Sequence, residues 1–324
     1  MGESKGMMTI RLPQGPALIL RLLAVLWLVV MLMLVVLSPS ALNLTTVSTI
    51  LQFSTILALV ALGQALVILA GGAGIDLSVG GAVSLSAVVG MLAVKLGLPV
   101  AFLPVACILC GLLLGAFNGL LVTRLSILPL IATLGTLFVY SGVALAVTRG
   151  AAQSGVPEWL TDWGRAVIVF VPLPFLTVAL PAFAISILLL SATAWGRWTY
   201  AMGFNERSAH LVGIPVDRVR LLLYAASGGL AGAAGLVSIA WLGSARPNIG
   251  QNLELESLTA AMLGGISITG GRGGVGGVLA AVILLITLKT VLLQLNVNTV
   301  WQVGIVGALL VVVLLAERLA HHWR

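Results

Sequence analysis

Apolar residues fill this chain in long runs, broken at intervals by short polar or glycine-rich stretches. A helix needs about 20 such residues to cross a hydrocarbon core. The pattern predicts ten spans, near 20–38, 50–70, 76–95, 99–122, 127–147, 168–192, 219–242, 255–270, 275–293 and 300–316. The expected fold is therefore an all-α polytopic membrane protein, one transmembrane domain over 20–317 between short tails at 1–19 and 318–324. The third and eighth spans are the weakest, since each abuts a glycine cluster: Gly71, Gly72 and Gly74, or Gly270, Gly271, Gly273 and Gly274. Both are candidates for short, broken or re-entrant segments, which a membrane tolerates only where protein buries the backbone or water reaches it. Three connections exceed simple turns, at 148–167, 193–218 and 243–254. The first run follows Lys5, Arg11 and Arg21 and ends at Ser38-Pro39-Ser40-Ala41, the outline of a signal peptide. The nine spans behind it favour a retained helix.

Composition sharpens this. Hydrophobic residues make up 60% of the 324, against 16 basic and 9 acidic ones. A soluble globule could not cover its surface with so few polar groups. The basic residues stand singly and never form a run, which sets aside a nucleic-acid partner in favour of the lipid bilayer. On the ten-span map Lys95, Arg149, Arg165, Arg246 and Lys289 lie on one side and the other eleven Lys and Arg on the opposite side. Positive charge favours the cytoplasm, so both termini are expected there.

Little of the remaining polarity suggests chemistry. Gly271, Gly273 and Gly276 match the dinucleotide fingerprint by spacing, but no strand–helix context surrounds them, so a tight turn carrying Arg272 is the better reading. No lysine follows a glycine, and the phosphate-cradling motif is absent. Cys107 and Cys110 sit inside an apolar helix, where a thiolate is poorly solvated. No nucleophile–base pair or metal cluster occurs at usable spacing for a membrane enzyme. Gly111, Gly115 and Gly119, like Gly228 and Gly232, recur every four residues and predict close helix packing. Eight of nine carboxylates fall in connections or at span ends, leaving Asp76 in G-I-D-L-S (74–78) as the one deep within an apolar stretch. Its two readings are a helix cap and a group on a transport pathway. Asn118, Thr133, Thr136 and Tyr140 join it as pathway candidates, with Gln64, Ser84 and Ser86 as further polar groups within spans. An ion-coupled transporter built on Asp76 stays open as an alternative, with only that carboxylate to serve it.

The connection 193–218 is the most informative. Asn205 suits an N-cap, Glu206 a first turn and Gly213 a C-terminal stop, and Pro215 forbids continuation. Together they predict a free-standing helix of about eight residues, near 12 Å long. It is either a docking knob or an ordinary interfacial connector. The stretch Glu206-Arg207-Ser208-Ala209-His210-Leu211-Val212-Gly213-Ile214 resembles the E-A-A…G loop with which permeases of bacterial ATP-binding-cassette importers dock on their ATPase, although Arg207 and Ser208 replace the usual alanines. G-G-A-G-I-D-L-S-V-G-G (71–81), F-N-G-L-L-V (117–122), P-L-I-A-T-L-G-T (129–136), G-R-W-T-Y-A-M-G (196–203), G-S-A-R-P-N-I-G (243–250) and L-G-G-I-S-I-T-G-G-R-G (263–273) look like permeases of the ribose, xylose and galactose importers.

The resemblance implies a ten-helix fold similar to the vitamin B12 importer permease, a type II importer, in the bacterial inner membrane. It implies a second permease copy or paralogue, and an ATPase subunit of the fused double kind that binds ATP and Mg outside this chain. It also implies a periplasmic sugar-binding protein that delivers a monosaccharide. Asn205, Glu206, Arg207, Ala209, His210 and Gly213 would form the ATPase-docking loop, while Arg149, Arg165 and Arg246 are candidates for docking the binding protein. Branched-chain amino acid permeases share the fold and are the alternative.

Overall fold

The computed structural model describes residues 15–37, 43–72 and 74–322; residues 1–14 of the predicted 1–19 tail, the Ser38-Pro39-Ser40-Ala41 stretch and the last two residues lie outside it. The chain forms thirteen helices: α1 (Gly15–Leu37), α2 (Leu44–Leu69), α3 (Val79–Lys95), α4 (Leu103–Thr123), α5 (Pro129–Thr148), α6 (Glu158–Arg165), α7 (Leu180–Ala192), α8 (Ala194–Phe204), α9 (Glu206–Leu211), α10 (Val216–Leu242), α11 (Leu253–Leu263), α12 (Val275–Gln294) and α13 (Thr299–His322). Among the described residues, seven helical segments are long and apolar enough to span a bilayer: α2, α4 with its leading turn, α5, 175–192, α10, α12 and the first part of α13. The two weakest spans are short: α3 has 17 residues and α11 has 11. α13 runs through the expected tail as far as His322.

One span begins later than its hydropathy implies. Val167–Ile168 and Val171–Pro172 pair as a two-stranded hairpin, with Val167 opposite Pro172. Helix starts only at Phe175, after Pro172 and Pro174. β-branched residues favour strand, and the prolines remove the donors a helix here would need.

α2 and α10 form the middle of the bundle and are buried over most of their length, whereas α4, α5 and α13 leave large apolar side chains exposed. The glycine stripes meet each other. A Cβ on Gly115 would fall 2.9 Å from Gly228 Cα, and one on Gly232 would fall 3.0 Å from Ile108 Cα, so α4 and α10 touch backbone to backbone. Such contact needs residues without side chains.

The connections gather at two ends. At one, Gly271 N–H donates to Leu69 O at 2.9 Å and Tyr200 OH to Gly273 O at 2.9 Å. At the other, Lys95 Nζ donates to Gln153 Oε1 at 2.6 Å, Gln153 bridges Ala245, and Arg165 Nε donates to Trp241 O at 2.9 Å. Lys95, Arg165 and the segments bearing Arg149 and Arg246 thus share an end, as alternation along the chain predicts.

Lys289 does not join them. It lies in the body of α12 and pairs with Glu256 of α11 at 2.8 Å, and Glu256 is buried. Glu254 is also half-buried, so Asp76 is not the bundle's one interior carboxylate. Hydropathy placed these groups at span ends because it saw the apolar run and not the surroundings; for Glu256 and Lys289, the opposite charge on the facing helix lets each remain inside.

Both α3 and α11 begin within the protein. Gly250, just before α11, donates its N–H to Ser84 Oγ on α3 at 3.0 Å. The non-helical segments 70–78 and 244–252 therefore approach from opposite ends and stop beside each other.

Candidate docking and pathway sites

At the first end, Asn205 closes α8 and opens α9. Its backbone is extended, and its Oδ1 accepts the Ser208 N–H at 3.0 Å, which is the predicted cap. The helix has six residues rather than about eight, because Gly213 turns left-handed at φ 81° with its N–H on His210 O at 3.1 Å, while Ile214 N–H reaches Ala209 O at 3.1 Å. That double bond ends a helix.

Six residues form no stable helix alone, so the bundle must hold α9. Ala209 is buried beneath it, and Glu206 makes a two-pronged pair with Arg220 of α10, at 2.9 Å from Nη1 and 2.8 Å from Nη2. The pair also meets the turn after α2: a Cβ on Gly72 would fall 2.7 Å from Arg220 Nη2, and one on Gly71 would fall 2.8 Å from Gly203 Cα. Gly71 and Gly72 both adopt left-handed φ, 70° and 64°, so glycine is required there twice over. Arg220 was legible only as one of the basic residues beside the loop, since its fourteen-residue separation from Glu206 follows no local rule.

Arg207, His210 and Gly213 face outward with Phe204, Leu211 and Val212, which are 72%, 88% and 76% exposed. Arg272 stands over the Phe204 ring at 5.8 Å. The docking candidates therefore divide in two: Asn205, Glu206 and Ala209 fasten the helix, and Arg207, His210 and Gly213 sit on its free face. An apolar tip rimmed by cations is the kind of patch that marks a protein interface.

The Arg220 hydrogen bonds hold the Glu206 carboxyl below its ordinary value of 4.5, outweighing partial burial, and the charges of Arg220 and His210 add to this. A lowered carboxyl stabilises the fold above its unfolded pKa and loses that contribution as pH falls through the folded value. Anchoring of α9 should thus stay constant from pH 8 to about 5 and weaken only below the ordinary glutamate range. Protease protection of residues 204–214 across that window checks it.

Asp76 lies deeper, beside α10. Its Oδ1 accepts Ser78 N–H at 3.1 Å and Ser78 Oγ–H at 2.6 Å, and its Oδ2 accepts the Ser227 hydroxyl at 3.0 Å. Asn118 Nδ2 donates to Ser78 Oγ at 2.6 Å; Tyr140 OH donates to Leu114 O at 2.9 Å and lies 3.4 Å from Asn118 Oδ1. With its amide oriented to suit its neighbours, Gln64 donates to Asp76 O at 2.8 Å and accepts Asp76 N–H at 3.3 Å. Thr133 reaches Ile75 O at 3.2 Å, whereas Thr136 bonds only its own helix, to Ala132 O and Thr133 O.

Of the five pathway candidates, Asp76, Asn118 and Tyr140 form one network, Thr133 touches its backbone, and Thr136 adjoins it through Tyr140, one turn along the same helix. The capping reading of Asp76 holds in altered form, for it fastens the turn at Ser78 rather than the first turn of α3. The network is buried throughout. Ser78 and Ser227, which complete it, were unmarked in the sequence because membrane serines ordinarily bond their own helix.

At the opposite end Arg149 and Arg246 are exposed, and the Gln153–Ala245 bridge draws their segments together. Arg165 is committed to the C-terminus of α10 through Trp241 O. A cation there complements the helix dipole, so two of the three arginines keep free heads for a partner.

A bundle of helices, seven segments of it long and apolar enough to cross a membrane, with two shorter helices starting inside it and a fastened knob at one end, defines a polytopic membrane protein. Residues 46–314 match the family described as the permease component of the branched-chain amino acid transport system. The ribose import permease protein of Bacillus subtilis (strain 168) is 37% identical over 291 residues, covering 87% of this chain and 88% of that one. The autoinducer 2 import system permease protein of Klebsiella pneumoniae is 38% identical over 297 residues, 90% of this chain and 85% of its own. The ribose import permease protein of Haemophilus influenzae is 30% identical over 284 residues, at 86% and 87%. No solved structure matches. The chain belongs to this family of ATP-binding-cassette importer permeases.

Proposed function

We propose that this chain forms the translocation pathway for a monosaccharide, driven by a separate ATPase docked on α9 and supplied by a periplasmic sugar-binding protein docked near Arg149 and Arg246. The ten helices other than α6, α8 and α9 would cross the membrane, α3 and α11 part-way, in the manner of a type II importer. Both termini would face the cytoplasm, and a second permease copy or paralogue would complete the pathway. ATP and Mg would be bound by the partner ATPase. The observation that carries this reading is the free apolar tip of α9 on a helix too short to exist unanchored. Imported ribose and autoinducer 2 in the relatives' names favour a polar cargo over branched-chain amino acids.

In proteoliposomes, uptake should require ATP, the ATPase and the binding protein together; uptake by the permease alone would overturn the proposal. The ion-coupled alternative is tested separately. Asp76 is occupied by three donors that fix the turn at Ser78, so a protonophore added at fixed ATP should leave uptake unchanged, and Asp76→Asn should lower thermal stability without creating or removing any dependence on the proton gradient. Loss of uptake on adding the protonophore would restore ion coupling.

A further inference from the structure

Where α3 and α11 begin side by side, the structure leaves a half-open cavity of about 330 Å³, walled by α3, α5 and the segment leading into α11. Its polar lining is Ser84, Ser141, Asn248, Gln251, Asn252 and Glu254. Leu137 and Phe138 of α5 supply an apolar wall. Ser84 already accepts the Gly250 N–H, which leaves its own proton to donate. Glu254 Oε2 is buried with no hydrogen-bond partner. That oxygen is shut against Gly80, so what an occupant can reach is the ring of amides and hydroxyls around it.

The geometry points to this cavity as the permease's own binding site for a single polyhydroxylated molecule, a monosaccharide, held in transit. The inference rests on the proposed transport of sugars. Small-molecule sites start at roughly 300 Å³ and pair an apolar wall with a few convergent polar groups. This one is at the small end, suited to one sugar ring rather than a chain. A sugar presents neighbouring hydroxyls that both donate and accept; side-chain amides answer both. No Lys, Arg or His lines the cavity, so an amino acid's carboxylate would find no cation there. The position suits transit as well. Gly80 and Ser84 stand just beyond Ser78, so the cavity adjoins the Asp76 network on the side of the opposite end. A site on a pathway must also release its occupant, so weak binding near ~1 mM is expected.

The test uses the assembled importer in proteoliposomes, its permease carrying Cys107→Ala, Cys110→Ala and Gln251→Cys, with a water-soluble maleimide as reporter. D-ribose, D-xylose and D-galactose are tried singly against L-leucine, without ATP. At least one sugar should slow labelling about threefold or more while leucine does not. Protection by leucine alone, or by none of the four, overturns the site. Uptake of the protecting sugar is measured in parallel on the importer with its unsubstituted permease, and a protected cysteine without ATP-driven uptake there would overturn the permease reading instead. Ser141→Leu, which fills the cavity from α5, should cut uptake about tenfold and leave ATPase association unchanged; full uptake in that variant also overturns the site.

Discussion

Glu206→Lys should leave the chain inserted in the membrane and reduce its retention of the proposed ATPase at least tenfold, abolishing uptake. The structure moves the reason away from the ATPase surface. Glu206 is not among the side chains that α9 presents; it is one half of the clasp with Arg220 that keeps α9 in place. A lysine there sets two cations face to face beside the Gly71–Gly72 turn, and Arg220, the more buried of the two, cannot withdraw into solvent. An exposed pair contributes up to ~1 kcal/mol, and breaking a buried one costs about 3–5. With side chains 11% and 37% exposed, this pair lies between. That suffices to displace a helix of six residues. Glu206→Arg combined with Arg220→Glu should recover a measurable part of the retention, because the clasp reforms with its poles exchanged. Pull-down of the ATPase on permease variants in detergent measures both. Unchanged retention in the single variant would remove α9 from the docking model, and no recovery in the double variant would mean that Glu206 touches the ATPase itself.

How far the sequence anticipated this arrangement depended on the range of the rule involved. The cap at Asn205, the stop at Gly213 and the glycine faces of α4 and α10 follow local rules of three or four residues, and the structure realises each of them. Asp76 was visible because a carboxylate in an apolar stretch is conspicuous, yet its partners Ser78 and Ser227 were not, since a serine in such a stretch is unremarkable. The clasp between Glu206 and Arg220 and the pair between Glu256 and Lys289 were hidden for a different reason. Hydropathy reads each charge alone and assigns it to the nearest boundary, whereas a charge whose partner comes from another element can stay inside. The polar cavity lies at the same blind spot: Asn248, Gln251 and Asn252 read as loop residues, and only the meeting of Gly250 with α3 shows that this loop enters the bundle.

The largest effect on the fold itself falls on α4 and α10. A Cβ at Gly115 would lie 2.9 Å from both Gly228 N and Gly228 Cα, with the Tyr224 carbonyl closer still, and none of these backbone atoms can turn aside as a side chain would. Any relief must separate two helices that the bundle packs along most of their length. Overpacking by a methylene costs ~1–3 kcal/mol in a core that can shift; a whole leucine against main chain exceeds that range. Gly115→Leu should therefore abolish a monodisperse folded species, with the chain still made and still membrane-associated, since insertion depends on hydropathy that leucine only raises. Gly135→Leu on α5 is the matched control. It makes the same chemical change in a span of similar hydropathy, where a Cβ meets nothing within 4 Å, and should elute as the parent does. Size-exclusion profiles and thermal melts of fluorescent fusions in detergent compare the two. If Gly115→Leu melts within a few degrees of Gly135→Leu, the α4–α10 contact is not the seam that holds this bundle together; if it is lost while the control survives, the four-residue glycine period in the sequence has been read correctly as backbone meeting backbone.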